Sequence, residues 1–286
     1  MPETTLVSVA ALRAHLADPA WAVVDCRFML ADPPAGEAAY TAAHIPGAVY
    51  AHLDRDLCGP IVPGQTGRHP LPAVDALAAT FGHWGIADGV QVVCYDAAGG
   101  AMAAARGWWL LQWLGHPAAA VLDGGWPAWL AAGGPTASGV ETRAPRRFVA
   151  RPQAAWVADA PDVAAAAADP RARVLDVRAA PRYRGEVEPI DPVAGHIPGA
   201  VCAPYEANVD AAGHLLPPEA LRALYAPLLG DVPPEQTIAY CGSGVTAAHT
   251  VLALAAAGLP GARLYPGSWS EWILDPAHPV ATGAEP

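Results

Sequence analysis

The chain has 286 residues, more than one typical domain, so two domains are expected. A hydrophobic fraction of 53% with 15% charged residues allows real cores to form and excludes a disordered chain. The formal net charge of −11 excludes a general affinity for nucleic acid or for anionic membranes. Local donors must therefore hold any anionic ligand.

The cysteines are odd in number, widely spaced and without a CxxC pair: Cys26, Cys58, Cys94, Cys202 and Cys241. This pattern favours a reducing cytoplasm and argues against a disulfide framework, dithiol redox chemistry or structural zinc. The N-terminal residues lack the pattern of a signal peptide, and no unbroken apolar run predicts a membrane span. We therefore expect a cytoplasmic protein without a metal or organic cofactor.

Short β-branched runs alternate with helical stretches along the chain. In chain order the sequence predicts strand 22–25, helix 73–84, strand 90–95, helix 100–114, strand 119–122, strand 173–176, helix 218–229, strand 237–240, helix 246–257 and strand 262–265. Strands separated by helices need crossover connections, so the pattern predicts an α/β fold with mostly parallel sheets flanked by helices. The Pro- and Arg-rich segment 135–156 is predicted to link two domains, 1–134 and 157–286.

Four motifs occur twice, in the same order and at nearly constant spacing. AVVDCR, AAHIPGAVYA, VVCYD and DGGWPAW in the first half match RVLDVR, AGHIPGAVCA, TIAYC and PGSWSEW in the second. Such a series indicates a duplicated domain. The Ile-Pro-Gly step is a turn signal, and a histidine before it usually has a structural role. We keep that interpretation for His196, whereas for His44 a catalytic role stays open.

The second copy carries a glycine-containing loop, Cys241-Gly242-Ser243-Gly244-Val245-Thr246, between a predicted strand and an Ala-rich helix. Its glycines let the backbone curl so that successive amides point inward, and the helix N-terminus adds further donors. A thiol placed there should have a lowered pKa. A Cys-x5-Arg phosphatase is excluded because position 247 is Ala and not Arg. A P-loop is excluded because it needs a lysine, and the sequence has none. A serine-hydrolase elbow is excluded because it needs glycine two residues before the serine, where this chain has Cys241.

The duplicated pattern of HIPGA, YCGSGVTA and GSWSEW resembles the tandem rhodanese family of sulfurtransferases over nearly the whole chain. The resemblance implies an active second copy and a first copy that has lost its cysteine, and Asp96 stands at the position equivalent to Cys241. It also implies that Cys241 carries sulfur as a persulfide and passes it to cyanide or to a thiol, either a small thiol or a thioredoxin-like protein.

The CGSGVT loop resembles that of 3-mercaptopyruvate sulfurtransferases, whereas thiosulfate-preferring members carry basic residues after the cysteine. A neutral loop suits a donor with one carboxylate better than the thiosulfate dianion. A thiosulfate:cyanide enzyme and a non-catalytic rhodanese-like scaffold remain as alternatives. The retained Cys241 separates the scaffold from an enzyme, and the donor requires an assay.

The resemblance assigns roles to further residues. Arg182 matches the arginine that grips the substrate carboxylate, and the loop residues Gly242, Gly244, Val245 and Thr246 would line the donor site. Ser243 would act with a histidine and a carboxylate, for which His44 and Asp32 are the matches, with Glu37 as a second acidic candidate. A second substrate arginine of some family members falls on Asp191 here, and Arg184 is one possible replacement. Arg178 is expected to pair with Asp176.

Overall fold

The computed structural model describes residues 2–286, which divide into two units. The first unit comprises the residues up to Gly59, Leu71–Gln153 and Asp210–Leu215; the second comprises Pro60–Pro70, Ala154–Val209 and Leu216–Pro286. Most of the segment predicted as a linker packs with the first unit: residue 137 bridges to residue 44, and the amide of Gln153 donates to the Trp113 carbonyl. The short segment Pro60–Pro70 belongs to the second unit, which nothing in the sequence indicated.

The first unit is built on a five-stranded parallel sheet in the order β1-β5-β4-β2-β3. Its strands are β1 Leu6–Val7, β2 Trp21–Asp25, β3 Val49–Tyr50, β4 Gln91–Tyr95 and β5 Ala119–Leu122. Its helices are α1 Val9–Ala14, α2 Pro33–Ala42, α3 Leu53–Asp56, α4 Val74–His83, α5 Ala103–Trp113 and α6 Gly125–Ala131.

The second unit has a four-stranded parallel sheet in the order β7-β6-β8-β9. Its strands are β6 Arg173–Asp176, β7 Ala200–Cys202, β8 Thr237–Tyr240 and β9 Arg263–Leu264. Its helices are α7 Ala160–Ala168, α8 Ala180–Tyr183, α9 Pro218–Leu229, α10 Thr246–Ala256 and α11 Ser268–Trp272, with 3-10 turns at Ala154–Trp156, Tyr205–Asn208 and Pro234–Gln236.

The predicted α/β class with two parallel sheets is confirmed, and every predicted strand and helix forms. The elements that were not predicted include the short strands β3 and β7 and the helices α2 and α7. Two or three extended residues carry no periodicity, and α7 is mostly alanine. Among the described residues, no helix is long and apolar enough to cross a membrane.

A buried ion pair occurs at the same place in both units. Asp25 pairs with Arg27 in the first unit, and Asp176 pairs with Arg178 at 2.5 Å in the second. Each arginine also lies over a tryptophan, Arg178 at 4.6 Å from the centre of the Trp269 ring. The structural role expected for Arg178 is therefore confirmed: it braces the end of β6 against the core.

Candidate active site

Cys241 lies directly after β8, an interior strand of the second sheet, and α10 begins five residues later at Thr246. The crevice outside the carboxyl ends of parallel strands is the usual ligand site in such folds. The N-terminus of the 11-residue α10 adds unpaired amides and the positive end of its dipole at the same place. The fold therefore puts the thiol where an anion is favoured.

Hydrogen-bond donors surround the sulfur of Cys241, which is only 2% exposed. The amide of Gly244 lies 3.1 Å from Sγ. Burial alone would raise the pKa of Cys241, but the Thr246 hydroxyl and the amides of Ser243, Ala247 and Gly244 stabilise the thiolate, and the pKa falls below its ordinary value. The cradle predicted from the glycine pattern is present, and the groups that lower this pKa are amides and a hydroxyl.

The turn between β9 and α11 supports this loop from behind. Ser270 and Trp269 donate their amides to the carbonyls of Gly242 and Cys241 at 2.9 and 3.0 Å, and the Cys241 amide donates to the Ser268 hydroxyl at 3.1 Å. Gly244 has a φ of +77°, and a Cβ there would lie 2.5 Å from the Pro266 carbonyl oxygen. Only glycine fits this position, which explains the second glycine of the motif.

Ser243 is buried and shares a 2.7 Å hydrogen bond with Nδ1 of His69. Sequence reasoning missed His69, because it lies in the Pro60–Pro70 segment, far from Ser243 along the chain and without a counterpart in the repeat. The histidine expected beside Ser243 from the sequence was His44, and the structure puts His69 there instead.

His44 has structural partners of its own in the first unit. Its Nδ1 lies 2.7 Å from the Tyr40 carbonyl, and its ring stacks on that of Tyr40. His196, its repeat counterpart, contacts the carbonyl and the ring of Tyr183 in the same way, with Nδ1 to oxygen at 2.8 Å. Since a carbonyl only accepts, each Nδ1 carries the proton and the ring braces the Ile-Pro-Gly turn.

The acidic residues suggested for His44 also have other environments. Asp32 is an exposed residue at the start of α2, and Glu37 is exposed and pairs with Arg55 at 3.4 Å. The carboxylate recorded near His44 is that of Glu141, 3.8 Å from Nε2. These contacts describe a structural cluster on the first unit.

Arg182 lies on α8 with its guanidinium beside the loop. Its Nη1 and Nη2 are 3.7 and 3.6 Å from where a Cβ on Gly242 would be. Nε and Nη2 bind Glu188 at 3.1 and 2.7 Å, and Nη2 also contacts Asp191 at 3.2 Å. The arginine predicted to bind substrate is thus held by two carboxylates next to the Cys241 loop.

A Rhodanese-like domain match covers residues 8–132 and again 159–275. The chain belongs to the rhodanese family. It is 50% identical to the Pseudomonas aeruginosa protein named "Probable 3-mercaptopyruvate sulfurtransferase", over 99% of this chain and 100% of that one. It is 32% identical to "Thiosulfate/3-mercaptopyruvate sulfurtransferase 1, mitochondrial" of Arabidopsis thaliana, over 96% of this chain and 77% of the relative.

Among solved structures, the 3-mercaptopyruvate sulfurtransferase from Leishmania major superposes with a TM-score of 0.83 at 31% identity. The match covers 95% of this chain and 75% of that one. The rhodanese assignment therefore rests on sequence and on fold across both copies.

The first rhodanese copy shows what its equivalent loop binds. Asp96, at the position of Cys241, accepts hydrogen bonds from the amides of Ala98 and Gly100 at 2.8 Å, and from those of Met102 and Ala104 at 3.0 and 3.1 Å. Burial raises the pKa of this carboxyl, and the four amides act against that rise. A carboxylate thus fills the amide cradle of the first copy, whereas the second copy offers its cradle to sulfur.

Proposed function

We propose that the chain is a sulfurtransferase that takes sulfur from 3-mercaptopyruvate as a persulfide on Cys241 and passes it to a thiol or to cyanide. The thiol acceptor is a small thiol or a thioredoxin-like protein. The observation that carries the proposal is the buried Cys241 sulfur, whose pKa the Thr246 hydroxyl and three loop amides lower below the ordinary value of a thiol. A scaffold without catalysis would not need this environment.

The first half-reaction forms one bond and breaks one. The Cys241 thiolate attacks the donor sulfur, an S–S bond forms, the C–S bond breaks, and its electron pair becomes the enolate of pyruvate. The proton of the donor thiol, which the persulfide gives up as it ionises, then reaches the enolate carbon to give pyruvate. In the second half-reaction the acceptor attacks the outer sulfur and the Cys241 thiolate returns as leaving group.

The loop amides stabilise the charge in both half-reactions. The amides of residues 243, 244 and 247 already favour a thiolate on Cys241, and a persulfide anion extends from the same atom toward the same helix N-terminus. Ser243, held by His69 at 2.7 Å, donates to the developing enolate oxygen, and the pair conducts the proton.

The charges beside the loop favour a donor with one negative charge. Arg68, Arg178 and Arg182 lie in one cluster with the carboxylates of Asp176, Glu188 and Asp191, three charges of each sign. A neutral cluster with free guanidinium edges can hold one carboxylate, whereas the thiosulfate dianion meets the same carboxylates with twice the charge.

The unpaired state of all five cysteines supports a reducing compartment, the cytoplasm.

Steady-state rates with 3-mercaptopyruvate and with thiosulfate test this function. We expect turnover with both acceptor types, a higher kcat/KM for 3-mercaptopyruvate, and no turnover in Cys241→Ala. Cys202→Ala, which removes the half-buried thiol of the same unit, is the matched control and should keep the wild-type rate. Full turnover in Cys241→Ala would refute the mechanism, and a preference for thiosulfate would refute the donor alone.

A further inference from the structure

A cavity of about 270 Å³ lies wholly within the first unit. Its walls come from α2, β3, α3, the end of α4 and the segment 140–143. The described residues that line it are distinct from those of the Cys241 loop, and the sulfur-transfer mechanism uses none of them. The rings and charges around this cavity therefore require an explanation of their own.

Three aromatic side chains line the cavity. The rings of Tyr40 and Tyr50 stack with 5.2 Å between their centres, and Trp84 also faces the cavity. The Tyr40 hydroxyl donates to the Ala48 carbonyl at 2.9 Å. The Tyr50 hydroxyl donates to the Arg27 carbonyl at 3.0 Å. The tyrosines thus offer the cavity their rings and not their hydroxyl protons, and aromatic rings attract apolar groups and cations.

The charged residues that line the cavity are three carboxylates and two arginines: Glu37, Asp56, Glu141, Arg55 and Arg143. With His83 neutral, three negative and two positive charges leave a net charge of −1. Arg55 is occupied by Asp56 at 3.2 Å and by Glu37 at 3.4 Å. The charge of the lining therefore favours a cation over an anion.

Glu141 is the carboxylate of this cavity that remains available to a ligand. Its amide donates to the Tyr40 hydroxyl at 2.9 Å, which fixes its backbone beside the aromatic rings. Among the described residues, the one recorded ionic contact of its carboxylate is with Nε2 of His44 at 3.8 Å, beyond hydrogen-bond distance. The Glu141 side chain is 38% exposed, so a ligand can reach it from the cavity.

His44 adds a second acceptor, which is buried and unsatisfied. Its Nδ1 donates to the Tyr40 carbonyl at 2.7 Å, so in the neutral ring Nε2 only accepts. Nε2 is shielded from solvent and, within the part of the chain that the structure describes, has no hydrogen-bond partner. Two acceptors, Nε2 and the Glu141 carboxylate, thus face each other without a donor between them. A group with several N–H donors would satisfy both.

We propose that this cavity binds a small organic amine as its ammonium ion. The ammonium has a positive charge and three N–H donors, which bond the Glu141 carboxylate and Nε2 of His44, while its apolar body packs against the three aromatic rings. Because no hydrogen bond fixes the Glu141 carboxylate, a small shift of that side chain opens Nε2 to the ligand. This site is separate from the donor site at Cys241 and does not depend on the proposed sulfur transfer.

Two ligands that share a benzyl group and differ in charge test this site. Benzylamine presents an ammonium and benzyl alcohol a hydroxyl, and calorimetric titration of the whole chain gives the Kd of each. We expect benzylamine to bind one site per chain, with a Kd about tenfold or more below that of benzyl alcohol. No binding of benzylamine, or equal affinities for the amine and the alcohol, would overturn the proposal.

A substitution at Glu141 locates the bound ammonium. Glu141→Gln keeps the shape of the side chain and removes its charge, so the Kd of benzylamine should rise about tenfold or more. Glu186→Gln is the matched control, because Glu186 pairs with Arg184 at 2.7 Å in the second unit and does not line the cavity. It should keep the wild-type Kd. An unchanged Kd in Glu141→Gln, or an equal rise in Glu186→Gln, would refute the site.

Two further measurements separate amine binding from sulfur transfer and from loss of folding. Cys241→Ala should bind benzylamine with the wild-type Kd, since Cys241 does not line the cavity. Loss of binding in Cys241→Ala would place the amine at the reactive loop and contradict the assignment. A thermal midpoint of Glu141→Gln near that of wild type shows that its weaker binding arises at the site.

Discussion

At the scale of single residues, four of the five cysteines have pKa values shifted in different directions. Donors in the loop lower the pKa of Cys241, whereas burial raises the pKa of Cys58 to about 11 and raises those of Cys26 and Cys202. The thiolate is the nucleophile both in alkylation and in sulfur transfer. Cys241 should therefore be more reactive than Cys26, Cys58 and Cys202, even though none of them is engaged in a disulfide.

Limited alkylation with iodoacetamide measures this difference. At neutral pH we expect Cys241 to be modified before Cys26, Cys58 and Cys202, because its pKa is lowered and theirs are raised. Its rate should fall as the pH drops through that lowered pKa and should be flat where free cysteine is still titrating. Peptide mapping as a function of pH is the measurement, with Cys241→Ala as control. A Cys241 profile that coincides with free cysteine would contradict the stabilised thiolate.

Substitutions of His69 and His44 distinguish a histidine that acts in the site from one with a structural role. His69→Asn removes the ring that holds Ser243, so we expect kcat to fall roughly 100-fold with little change in thermal stability. His44→Asn removes the ring stacked on Tyr40 and should instead lower the free energy of unfolding by about 1–3 kcal/mol. Comparing kcat and thermal midpoints of the two variants tests both assignments. Loss of kcat in a fully stable His44→Asn would restore the expectation drawn from the sequence.

The residues that could be predicted are those with a local reason for their identity. Gly244 is required by its left-handed backbone, and Cys241 is singled out by the strand–loop–helix context around it. The positions of His69 and Arg68 beside the site could not be predicted, because they depend on contacts with residues more than a hundred positions away along the chain. No periodicity or turn chemistry reports such a long-range contact.

At the scale of elements, the same strand–loop–helix unit appears twice with different occupants. The loop after β4 holds the Asp96 carboxylate with four amides, and the loop after β8 holds the Cys241 sulfur with amides and a hydroxyl. The loop in both copies therefore presents amide donors to one acceptor, and the residue at its start decides whether that acceptor is a carboxyl group or a thiol.

Asp96→Asn tests the anion preference of this element. The amide group keeps the shape but turns an NH2 toward amide donors, so some buried N–H groups lose their acceptor. We expect the free energy of unfolding to fall by about 2–4 kcal/mol. Urea denaturation provides the measurement, and Asp169→Asn, at an exposed surface pair with Arg171, should leave stability essentially unchanged. An Asp96→Asn protein as stable as wild type would show that the cradle does not require a charge.

At the scale of the whole molecule, the duplication predicted two domains with parallel sheets and the chain order of their longer strands and helices. It did not predict that Pro60–Pro70 belongs to the second unit and Asp210–Leu215 to the first. Both segments are short and rich in turn residues, so their composition indicates only loops. The boundaries 1–134, 135–156 and 157–286 describe the repeat in the sequence better than the packing of the chain.

The positive groups that could attract an anion are concentrated at the Cys241 loop and are not spread over this acidic chain. The net charge of −11 offers no general attraction for a carboxylate donor. Amides, a helix N-terminus and two arginines that contact Asp191 lie beside the Cys241 loop, and one of those arginines belongs to the Pro60–Pro70 segment. Binding of a carboxylate donor would then depend on the local geometry of one unit and not on the electrostatic field of the whole molecule.

The most direct test of sulfur transfer through Cys241 is the mass of the protein after one half-reaction. Wild-type protein treated with 3-mercaptopyruvate without an acceptor should gain one sulfur atom on the peptide that contains Cys241, and cyanide or a thiol should remove it. Cys241→Ser should gain none, and Cys202→Ala should gain the same single sulfur. Sulfur on any other cysteine, or turnover without a sulfur-bearing intermediate on Cys241, would contradict the proposed mechanism.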